Sequence, residues 1–565
     1  MNFIKTVSAA VLLLSAFTAS AKTEKKIEII PYPTSVEYIK GGDFKVPGSQ
    51  LYIDPALDSV SRLAVYRLSD RLSCSTGKIS PVVIGLSSAS AAPKKDFVFL
   101  LDKTIAPESY TLTVNGKSAV VRASDSHGFL YSVQTILQLL PAEVYGKTPV
   151  KGLKWSIPSI VIKDTPRFGY RGMHLDCSRH FWTVEETKKY LDIMAVYKLN
   201  TFHWHLTDDQ GWRVEIKKYP RLTEVGALRA GTCIKRNFSS HDGILYGGYY
   251  TQEQMKEVVA YAKGLGITVI PEIDLPGHML GVLAAYPELG CTGGPYEVWT
   301  RWGVSKDVLC PGKGQMFSFL EDVFDELCEI FPSEYIHIGG DECPKDRWEK
   351  CPDCQALIKS LGIVADSTHT AEQYLQNYVT KRVQDYLAGK GRKIIGWDEI
   401  LEGKLGEGAT VMAWRYGDAC VKSTGMGFPT ILTPTTYCYF DFYQSDKEGR
   451  VQEPYAIGGE LPIEKVYGFE PNELITDEAS RKNILGVQAN LWTEYILTPE
   501  HLEYMLLPRL AALSEIQWCP EGSKDFGRLK ASLDKHFKIY DILGFTANHR
   551  IQGNPGLPGA KYLGE

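Results

Sequence analysis

The sequence predicts an α/β protein in which a (β/α)8 TIM barrel follows a small α+β N-terminal domain. After Pro166, eight short apolar runs alternate with amphipathic helical segments over about 350 residues, which is the pattern of a closed parallel barrel. Before Pro166, short β-rich runs accompany one helical segment, as in a small α+β unit. A doubly wound open sheet is the alternative for the longer part, but no glycine-rich phosphate loop follows its first strand.

The N-terminal domain is expected over residues 22–165. Residues 118–122 and 157–162 are predicted strands, and apolar side chains from Phe129 to Leu140 share one face of a predicted helix. We place the domain junction at Asp164-Thr165-Pro166-Arg167, because proline disfavours a continuing helix.

The barrel is expected over residues 166–520, with residues 521–565 forming a closing helix and tail packed on it. Two of its helices begin with capping boxes, Thr183 with Glu186 and Thr251 with Gln254, in which each side chain satisfies the other residue's backbone donor. The predicted strands are residues 170–176, 200–206, 268–273, 335–338, 393–397, 410–414, 430–432 and 485–491.

The composition and the first residues indicate an exported globular protein. The 565 residues carry a net charge of −5, which argues against a nucleic-acid partner because phosphate binding needs a basic surface. Residues 1–21 have the form of a signal peptide, with Lys5, an apolar run from Val7 to Phe17, and Ala19-Ser20-Ala21 as a cleavage site. No stretch reaches about 18 apolar residues, so no membrane span is predicted. We expect a periplasmic or secreted protein.

Twelve cysteines are too few for a disulfide scaffold in a chain of this length. Cys291 and Cys310 bracket one loop and form the best candidate disulfide, while Cys343, Cys351 and Cys354 cluster further along. Cys351 and Cys354 form a Cys-x-x-Cys motif. A tetrahedral zinc site needs four ligands, and no second Cys-x-x-Cys motif lies near this one. A disulfide or free thiols are therefore favoured over a metal site.

Acidic and aromatic side chains follow nearly every predicted barrel strand. Catalytic groups of such barrels lie at the carboxyl ends of the strands, where the loops converge. Solvated loop starts are the alternative explanation. The strand-end residues are Asp208, Asp209, Asp274, His278, Asp341, Glu342, Trp397, Trp414, Tyr439, Asp441, Trp492 and Glu494.

Asp341 and Glu342 are the central candidates. They either cap the next helix or act in catalysis, and the nearby tryptophans favour catalysis because aromatic surroundings raise the pKa of a carboxylic acid. Tryptophan faces also pack well on sugar rings. His278 is predicted to connect Asp208 to Glu342 and to tune its proton affinity, with a structural loop histidine as the alternative. His203 and His205 share a strand face, and we favour a hydrogen-bonded structural role for them over metal binding.

Four segments together resemble the β-N-acetylhexosaminidases of glycoside hydrolase family 20. The resemblance covers the barrel and the small N-terminal domain. The segments are Arg171-Gly172-Met173-His174-Leu175-Asp176, His203-Trp204-His205-Leu206-Thr207-Asp208-Asp209-Gln210-Gly211-Trp212, Pro276-Gly277-His278 and His337-Ile338-Gly339-Gly340-Asp341-Glu342.

The resemblance implies an exo-acting glycosidase without a cofactor or metal. It would remove terminal, non-reducing β-linked N-acetylglucosamine or N-acetylgalactosamine from an oligosaccharide or glycoconjugate, with retention, through attack by the substrate's own 2-acetamido oxygen and an oxazolinium intermediate. Glu342 would be the general acid and base, and Asp341 would hold the acetamido N–H. A related hydrolase with an open pocket or a carboxylate nucleophile, and a carbohydrate-binding protein without turnover, are the alternatives.

The resemblance also assigns the other site residues. Asp208, chosen over Asp209 by its position in the motif, would partner His278. Tyr439 would hydrogen-bond the acetamido oxygen. The acetamido pocket would be walled by Trp397, Trp414 and Trp492, and the sugar hydroxyls would be bound by Arg171, Asp441 and Glu494.

Overall fold

A computed structural model describes residues 27–85, 95–403, 405–406 and 408–552. The predicted signal peptide, residues 1–21, lies outside these ranges. The described chain forms an N-terminal sheet with two long helices and a closed eight-stranded barrel. None of the helices in these ranges combines the length and the apolar character needed to cross a bilayer.

The N-terminal domain is a mixed seven-stranded sheet packed against the helices Ser59–Thr76 and Ser126–Leu139. The predicted strand at 157–162 is divided: Ser156–Ile157 pairs with Phe44–Lys45, and only Ile160–Asp164 joins the sheet. Pro158 separates the two pieces, because proline has no N–H to donate to a ladder. In spatial order the sheet strands are Ser35–Tyr38, Ile160–Asp164, Tyr110–Val114, Ser118–Ala123, Asp96–Leu101, Leu51–Ile53 and Val82–Ile84.

The barrel prediction is confirmed, and each strand ends within two residues of its expected position. All eight strands are parallel, and the ring closes where Tyr170 of strand one pairs with Gly486 of strand eight. Barrel strands one to eight are Tyr170–Asp176, Thr201–His205, Thr268–Glu272, Tyr335–His337, Lys393–Trp397, Thr410–Ala413, Thr430–Leu432 and Ile484–Ala489.

Both predicted capping boxes are present, at Thr183 with Glu186 and at Thr251 with Gln254. Each capping side chain stabilises its helix by about 1 kcal/mol.

The longer helices are Val184–Val196, Gln252–Lys263, Gln315–Ile330, Pro352–Ser360, Ala371–Gly389, Tyr416–Gly425, Pro499–Leu506, Arg509–Trp518 and Phe526–Leu543. The shorter ones are Arg221–Glu224, Leu280–Ala285, Thr435–Cys438, Ile463–Tyr467, Pro471–Leu474 and Glu478–Arg481. Paired short strands in the barrel loops are Thr207–Asp208 with Gly211–Trp212, Leu228–Arg229 with Tyr246–Gly247, and Cys233–Ile234 with Asn237–His241.

Charged side chains join the two domains at the amino-terminal end of the barrel. Buried Asp164 accepts hydrogen bonds from Lys198 Nζ at 2.8 Å and from Trp518 Nε1 at 2.8 Å.

Arg171 lies at the same interface, where its Nη1 is 3.0 Å from Glu108 Oε2 of the N-terminal domain. Arg171 is the second residue of strand one and therefore lies at the opposite end from the strand-end loops. The expectation that Arg171 binds a sugar is thus wrong.

Candidate active site

A cavity of about 450 Å³ opens at the carboxyl ends of the barrel strands. A second cavity of about 520 Å³ lies between the N-terminal helices and helix Val184–Val196, away from the strand ends, and its walls include Leu68, Leu130 and Val196. The strand-end cavity is the one that gathers the predicted acids and aromatic rings. Its walls include Asp341, Glu342, Trp397, Trp414, Tyr439, Asp441, Trp492 and Glu494.

Carboxylates behind the tryptophans fix the aromatic walls of this cavity. Trp397 Nε1 donates to Glu272 at 2.8 Å, and Trp414 Nε1 donates to Glu399 at 3.0 Å. The rings of Trp414 and Tyr439 stack with centroids 6.2 Å apart and planes 28° apart. Because both indole N–H groups are satisfied inside the protein, these rings can line the cavity without leaving a donor unpaired.

Three buried carboxylate oxygens in this cavity lack a hydrogen-bond partner among the described residues. They are Asp341 Oδ1, Asp441 Oδ1 and Glu494 Oε2. Buried acceptors are almost always satisfied in native proteins, so three in one cavity indicate a ligand with several N–H or O–H donors. Burial also raises the pKa of Asp441 well above its usual range, with nearby Glu494 acting in the same direction.

His278 occupies the position predicted for it. Its Nδ1 lies 3.0 Å from Asp208 and 3.3 Å from Asp209, while its Nε2 lies 3.6 Å from Glu342 and 3.9 Å from Asp341. Asp208 is therefore the nearer carboxylate, although Asp209 also contacts the ring. Asp209 additionally accepts the backbone N–H of Leu280 at 3.2 Å and so holds the loop that carries His278.

Strained backbone presents these groups to the cavity. His278 and Glu342 have φ values of 51° and 42°, in the left-handed region that costs a non-glycine residue about 1–3 kcal/mol. Gly339, with φ of 63°, precedes the acidic pair, and a Cβ there would lie 1.7 Å from Asp274 Oδ1. The two glycines before Asp341 therefore permit a turn that other residues would obstruct.

The environments of the two central acids push their pKa values in opposite directions. Burial raises the pKa of Asp341 to about 6. The nearby His278 imidazole lowers the pKa of Glu342, whose side chain is 43% exposed. Burial disfavours the charged form of His278, but Asp208, Asp209 and Glu342 together outweigh burial and raise the pKa of the imidazole well above its usual value. The expected rise in pKa thus occurs at Asp341 but not at Glu342.

Glu272 in barrel strand three organises the histidines beneath the cavity. His203 Nε2 lies 2.9 Å and His205 Nδ1 lies 2.5 Å from Glu272 Oε2, and His337 Nδ1 lies 3.0 Å from Oε1. His205 Nε2 in turn lies 3.1 Å from Asp208. The ligand atoms of His203, Glu272 and His337 are close enough to hold a metal ion. His205 is hydrogen-bonded to Glu272 and Asp208, and His203 Nδ1 is hydrogen-bonded to Gln488 at 3.0 Å, in agreement with the structural role predicted for both histidines.

Arg179 is a cationic residue of the site that the sequence analysis did not identify. Its guanidinium lies 2.9 Å from Asp208, 3.2 Å from Asp176 and 3.8 Å from Glu494, and it stacks over Trp492 at 5.0 Å. Arg179 follows the end of strand one by three residues. The strand-end rule, applied to strand one as to the others, would have found it.

The loop from Cys291 to Cys310 contributes Trp302 to the cavity wall, together with Gly303 and Val304. Cys291 and Cys310, the best candidate disulfide, are not joined to each other, and neither forms a disulfide with another described residue. Cys351 and Cys354 reach the same place, so that four thiols come together instead of two.

Comparison with known proteins decides the family. The model described as "Glycosyl hydrolase family 20, catalytic domain" matches residues 168–521, and "Glycosyl hydrolase family 20, domain 2" matches residues 26–165. The chain belongs to glycosyl hydrolase family 20. It is a glycoside hydrolase, and the small N-terminal domain is the family's domain 2.

Relatives of this family 20 chain extend over nearly all of it. A Beta-hexosaminidase from Porphyromonas gingivalis is 41% identical over 539 residues, which are 94% of this chain and 66% of that protein. The chain thus spans just under two thirds of that relative. Among solved structures, the GH20 beta-N-acetylhexosaminidase from Streptomyces coelicolor superposes with a TM-score of 0.79 at 30% identity, covering 94% of this chain and 98% of that chain. The GH20 exo beta-N-acetylglucosaminidase from Vibrio harveyi, solved with N-acetylglucosamine, gives 0.78 at 32% identity, covering 92% and 78%.

Proposed function

We propose that this chain is an exo-acting β-N-acetylhexosaminidase. Its substrate would be an oligosaccharide or glycoconjugate with a terminal, non-reducing β-linked N-acetylglucosamine or N-acetylgalactosamine. The observation that carries the proposal is the set of three unpartnered carboxylate oxygens in a tryptophan-walled cavity beside Glu342. A 2-acetamido sugar offers the N–H and O–H donors that these acceptors need and an apolar ring face for the indoles. The names of the relatives support the same class of substrate.

The mechanism we propose uses the substrate's acetamido oxygen as the nucleophile. A retaining enzyme with two catalytic carboxylates places them on opposite faces of the sugar, about 5 Å apart, and family 20 is an exception to that rule. Asp341 and Glu342 are consecutive residues, and both contact His278. They are therefore poorly placed to act as an acid and a nucleophile on opposite faces. An acetamido oxygen already bound beside the anomeric carbon gains the advantage of proximity.

In the first step, Glu342 donates its proton to the glycosidic oxygen while the acetamido oxygen attacks the anomeric carbon. The bond to the leaving group breaks, and an oxazolinium ring forms. Asp341, through its free Oδ1, accepts the acetamido N–H and stabilises the positive charge. In the second step, the Glu342 carboxylate takes a proton from water, and that water attacks the anomeric carbon and reopens the ring. The configuration at that carbon is retained.

The remaining residues would position the sugar. Tyr439, buried and stacked on Trp414, is the donor for the acetamido oxygen. Asp441 and Glu494 accept the ring hydroxyls, and Arg179 takes the place that the sequence assigned to Arg171, because it orients Glu494.

Desolvation by a bound substrate would allow Glu342 to act as an acid, although His278 lowers the pKa of this carboxyl group. His278 stabilises the carboxylate form of the half-exposed Glu342. A sugar bound in the cavity would cover the exposed part of this side chain, and desolvation raises the pKa of a carboxyl group. We therefore expect substrate binding to bring Glu342 into its protonated form.

The first test compares an aryl β-N-acetylglucosaminide with the matching aryl β-glucoside, which lacks the acetamido group. Release of the chromophore from the acetamido sugar alone is the expected result. Equal cleavage of both would require a carboxylate nucleophile and would contradict the proposal. Cleavage of neither glycoside, nor of the aryl β-N-acetylgalactosaminide, would leave a binding protein as the better explanation.

A further inference from the structure

Four cysteine sulfurs meet beside the active-site loops although they come from distant parts of the chain. Cys291 and Cys310 bracket the loop after barrel strand three, and Cys351 and Cys354 lie at the start of helix Pro352–Ser360. All four sulfurs lie within 4.8 Å of one another. Cys310, Cys351 and Cys354 are buried, and Cys291 is partly buried.

The separations of the sulfurs match a tetrahedral metal site. Cys310 Sγ lies 3.5 Å from Cys354 Sγ and 3.6 Å from Cys351 Sγ, and Cys291 Sγ lies 3.9 Å from Cys354 Sγ. Four thiolates around zinc, with bonds of about 2.3 Å, stand about 3.8 Å apart along each edge of the tetrahedron. A disulfide would bring two of the sulfurs to about 2.05 Å.

The surroundings resemble those of a structural metal site. The backbone N–H of Gly312 is directed at the sulfurs of Cys310 and Cys354, and such hydrogen bonds to the ligand atoms orient thiolates around a metal ion. Gly312 is required there, since a Cβ would lie 2.3 Å from the Asp353 carbonyl carbon. The side chains of Val308, Trp348, Ile358 and Leu375 pack around the cluster.

We propose that Cys291, Cys310, Cys351 and Cys354 bind one structural zinc ion. Binding converts four thiols and one Zn²⁺ into a tetrathiolate complex and releases four protons, with no change of oxidation state. Four protein ligands leave no open position, so the ion does not take part in the glycosidase reaction. Tetrahedral sulfur also binds iron, but hydrolysis involves no electron transfer, which favours the redox-inactive ion.

The ion would join the two loops that build one side of the active site. The first loop supplies Trp302 to the cavity, and the second contains Glu342. Between them, Trp348 Nε1 donates to the carbonyl of Leu309 at 2.9 Å, and Arg347 Nε lies 2.7 Å from Asp307. The four ligands therefore connect the two loops near their ends. Loss of the ion should make this side of the cavity wall more mobile.

Elemental analysis of the purified full-length chain, without an affinity tag that binds metals, is the first measurement. We expect one zinc per chain and a zinc X-ray absorption spectrum with four sulfur neighbours at about 2.3 Å. Alkylation of the unfolded, chelated and unreduced protein should then modify all four thiols. Iron in place of zinc would overturn the assignment, as would protected disulfide-bonded cysteines or four free thiols without metal.

Variants test the ligands individually. Cys291→Ser and Cys354→Ser should lose most of the bound zinc and melt at a lower temperature, whereas Cys74→Ser and Cys328→Ser, outside the cluster, should retain it. Cys354→His keeps a zinc ligand and should hold more metal than Cys354→Ser. If the serine variants do not fold, the absorption spectrum and the alkylation of the unaltered chain still decide the question. Full zinc content in Cys354→Ser would contradict the proposal.

Discussion

His278 Nε2 lies 3.6 Å from Glu342 Oε2, so that one imidazole both contacts the proposed acid and, through Nδ1, reaches Asp208 at 3.0 Å. Asp208 also contacts Arg179 and His205, and His205 contacts Glu272. The charge at Glu342 is therefore linked to a buried network below the cavity. The network therefore helps to hold the carboxyl group of Glu342 in position, although the Glu342 side chain is exposed.

Replacing Glu342 with glutamine should affect substrates according to their leaving groups. The amide cannot donate a proton to the glycosidic oxygen, so we expect kcat/KM for a disaccharide with a poor leaving group to fall by about 10²–10⁴-fold. An aryl glycoside with an acidic leaving group needs less protonation and should lose less. Steady-state kinetics on both substrates measures the difference. Equal losses on the two substrates would argue against Glu342 as the acid.

Asp341→Asn should slow cleavage even when the leaving group is good, because Asp341 stabilises the acetamido group and not the departing oxygen. The leaving-group dependence of the rate should stay close to that of the unaltered chain. The same pair of aryl and disaccharide substrates measures both effects. Full activity of this variant would exclude the substrate-assisted mechanism.

Asp341→Asn should also raise the free energy of unfolding, by an amount that depends on pH. The folded-state pKa of Asp341 is raised from 3.8 to about 6, so the folded chain binds this proton more tightly than the unfolded chain. Stability is therefore lost as the pH rises through about 6, and asparagine avoids that loss. We expect Asp341→Asn to gain about 1–3 kcal/mol over the unaltered chain at about pH 7.5 and little at about pH 4. Calorimetric melting at both pH values tests this, and an equal gain at both would contradict it.

Arg171 and Arg179 provide a matched pair of arginines at opposite ends of strand one. Arg179→Lys should reduce kcat/KM by about 10-fold or more, because lysine cannot contact Asp208, Asp176 and Glu494 with the same planar group. Arg171→Lys should lower the free energy of unfolding by about 1–3 kcal/mol through lost contacts at the domain interface. Its KM should be unchanged. A raised KM in Arg171→Lys would restore the original assignment.

The sequence predicted those parts of the molecule that depend on local pattern. Trp397 is the last residue of its strand, Trp414 follows its strand directly, and Glu494 lies in the loop after strand eight, so a rule about strand ends places all three correctly. Arg171 was misplaced because family resemblance, and not strand position, assigned it. Its partner Glu108 belongs to another domain, and no local pattern links the two residues.

Long-range burial accounts for the remaining differences. Glu272 lies inside the apolar run predicted at residues 268–273, and only the closed barrel shows that four side chains converge on it. The cysteines were judged by spacing, yet folding brings Cys310 to Cys351 across 41 positions. The lowered pKa of Glu342 depends on the left-handed turns at His278 and Glu342, which the residue types alone do not reveal.

Phe238 on the rim of the cavity should contact the part of the substrate beyond the terminal sugar. The side chain is 45% exposed and lies with Val304 on the cavity wall, where an aglycone sugar would emerge. Phe238→Ala should raise KM about 3–10-fold for a disaccharide or longer substrate, since stacking on an aromatic face contributes about 1 kcal/mol. KM for a small aryl glycoside should change less. Ile244→Ala, exposed but outside the cavity wall, is the matched control and should leave both values unchanged. If Phe238→Ala affected the aryl glycoside and the disaccharide equally, Phe238 would belong to the terminal-sugar pocket and not to its rim.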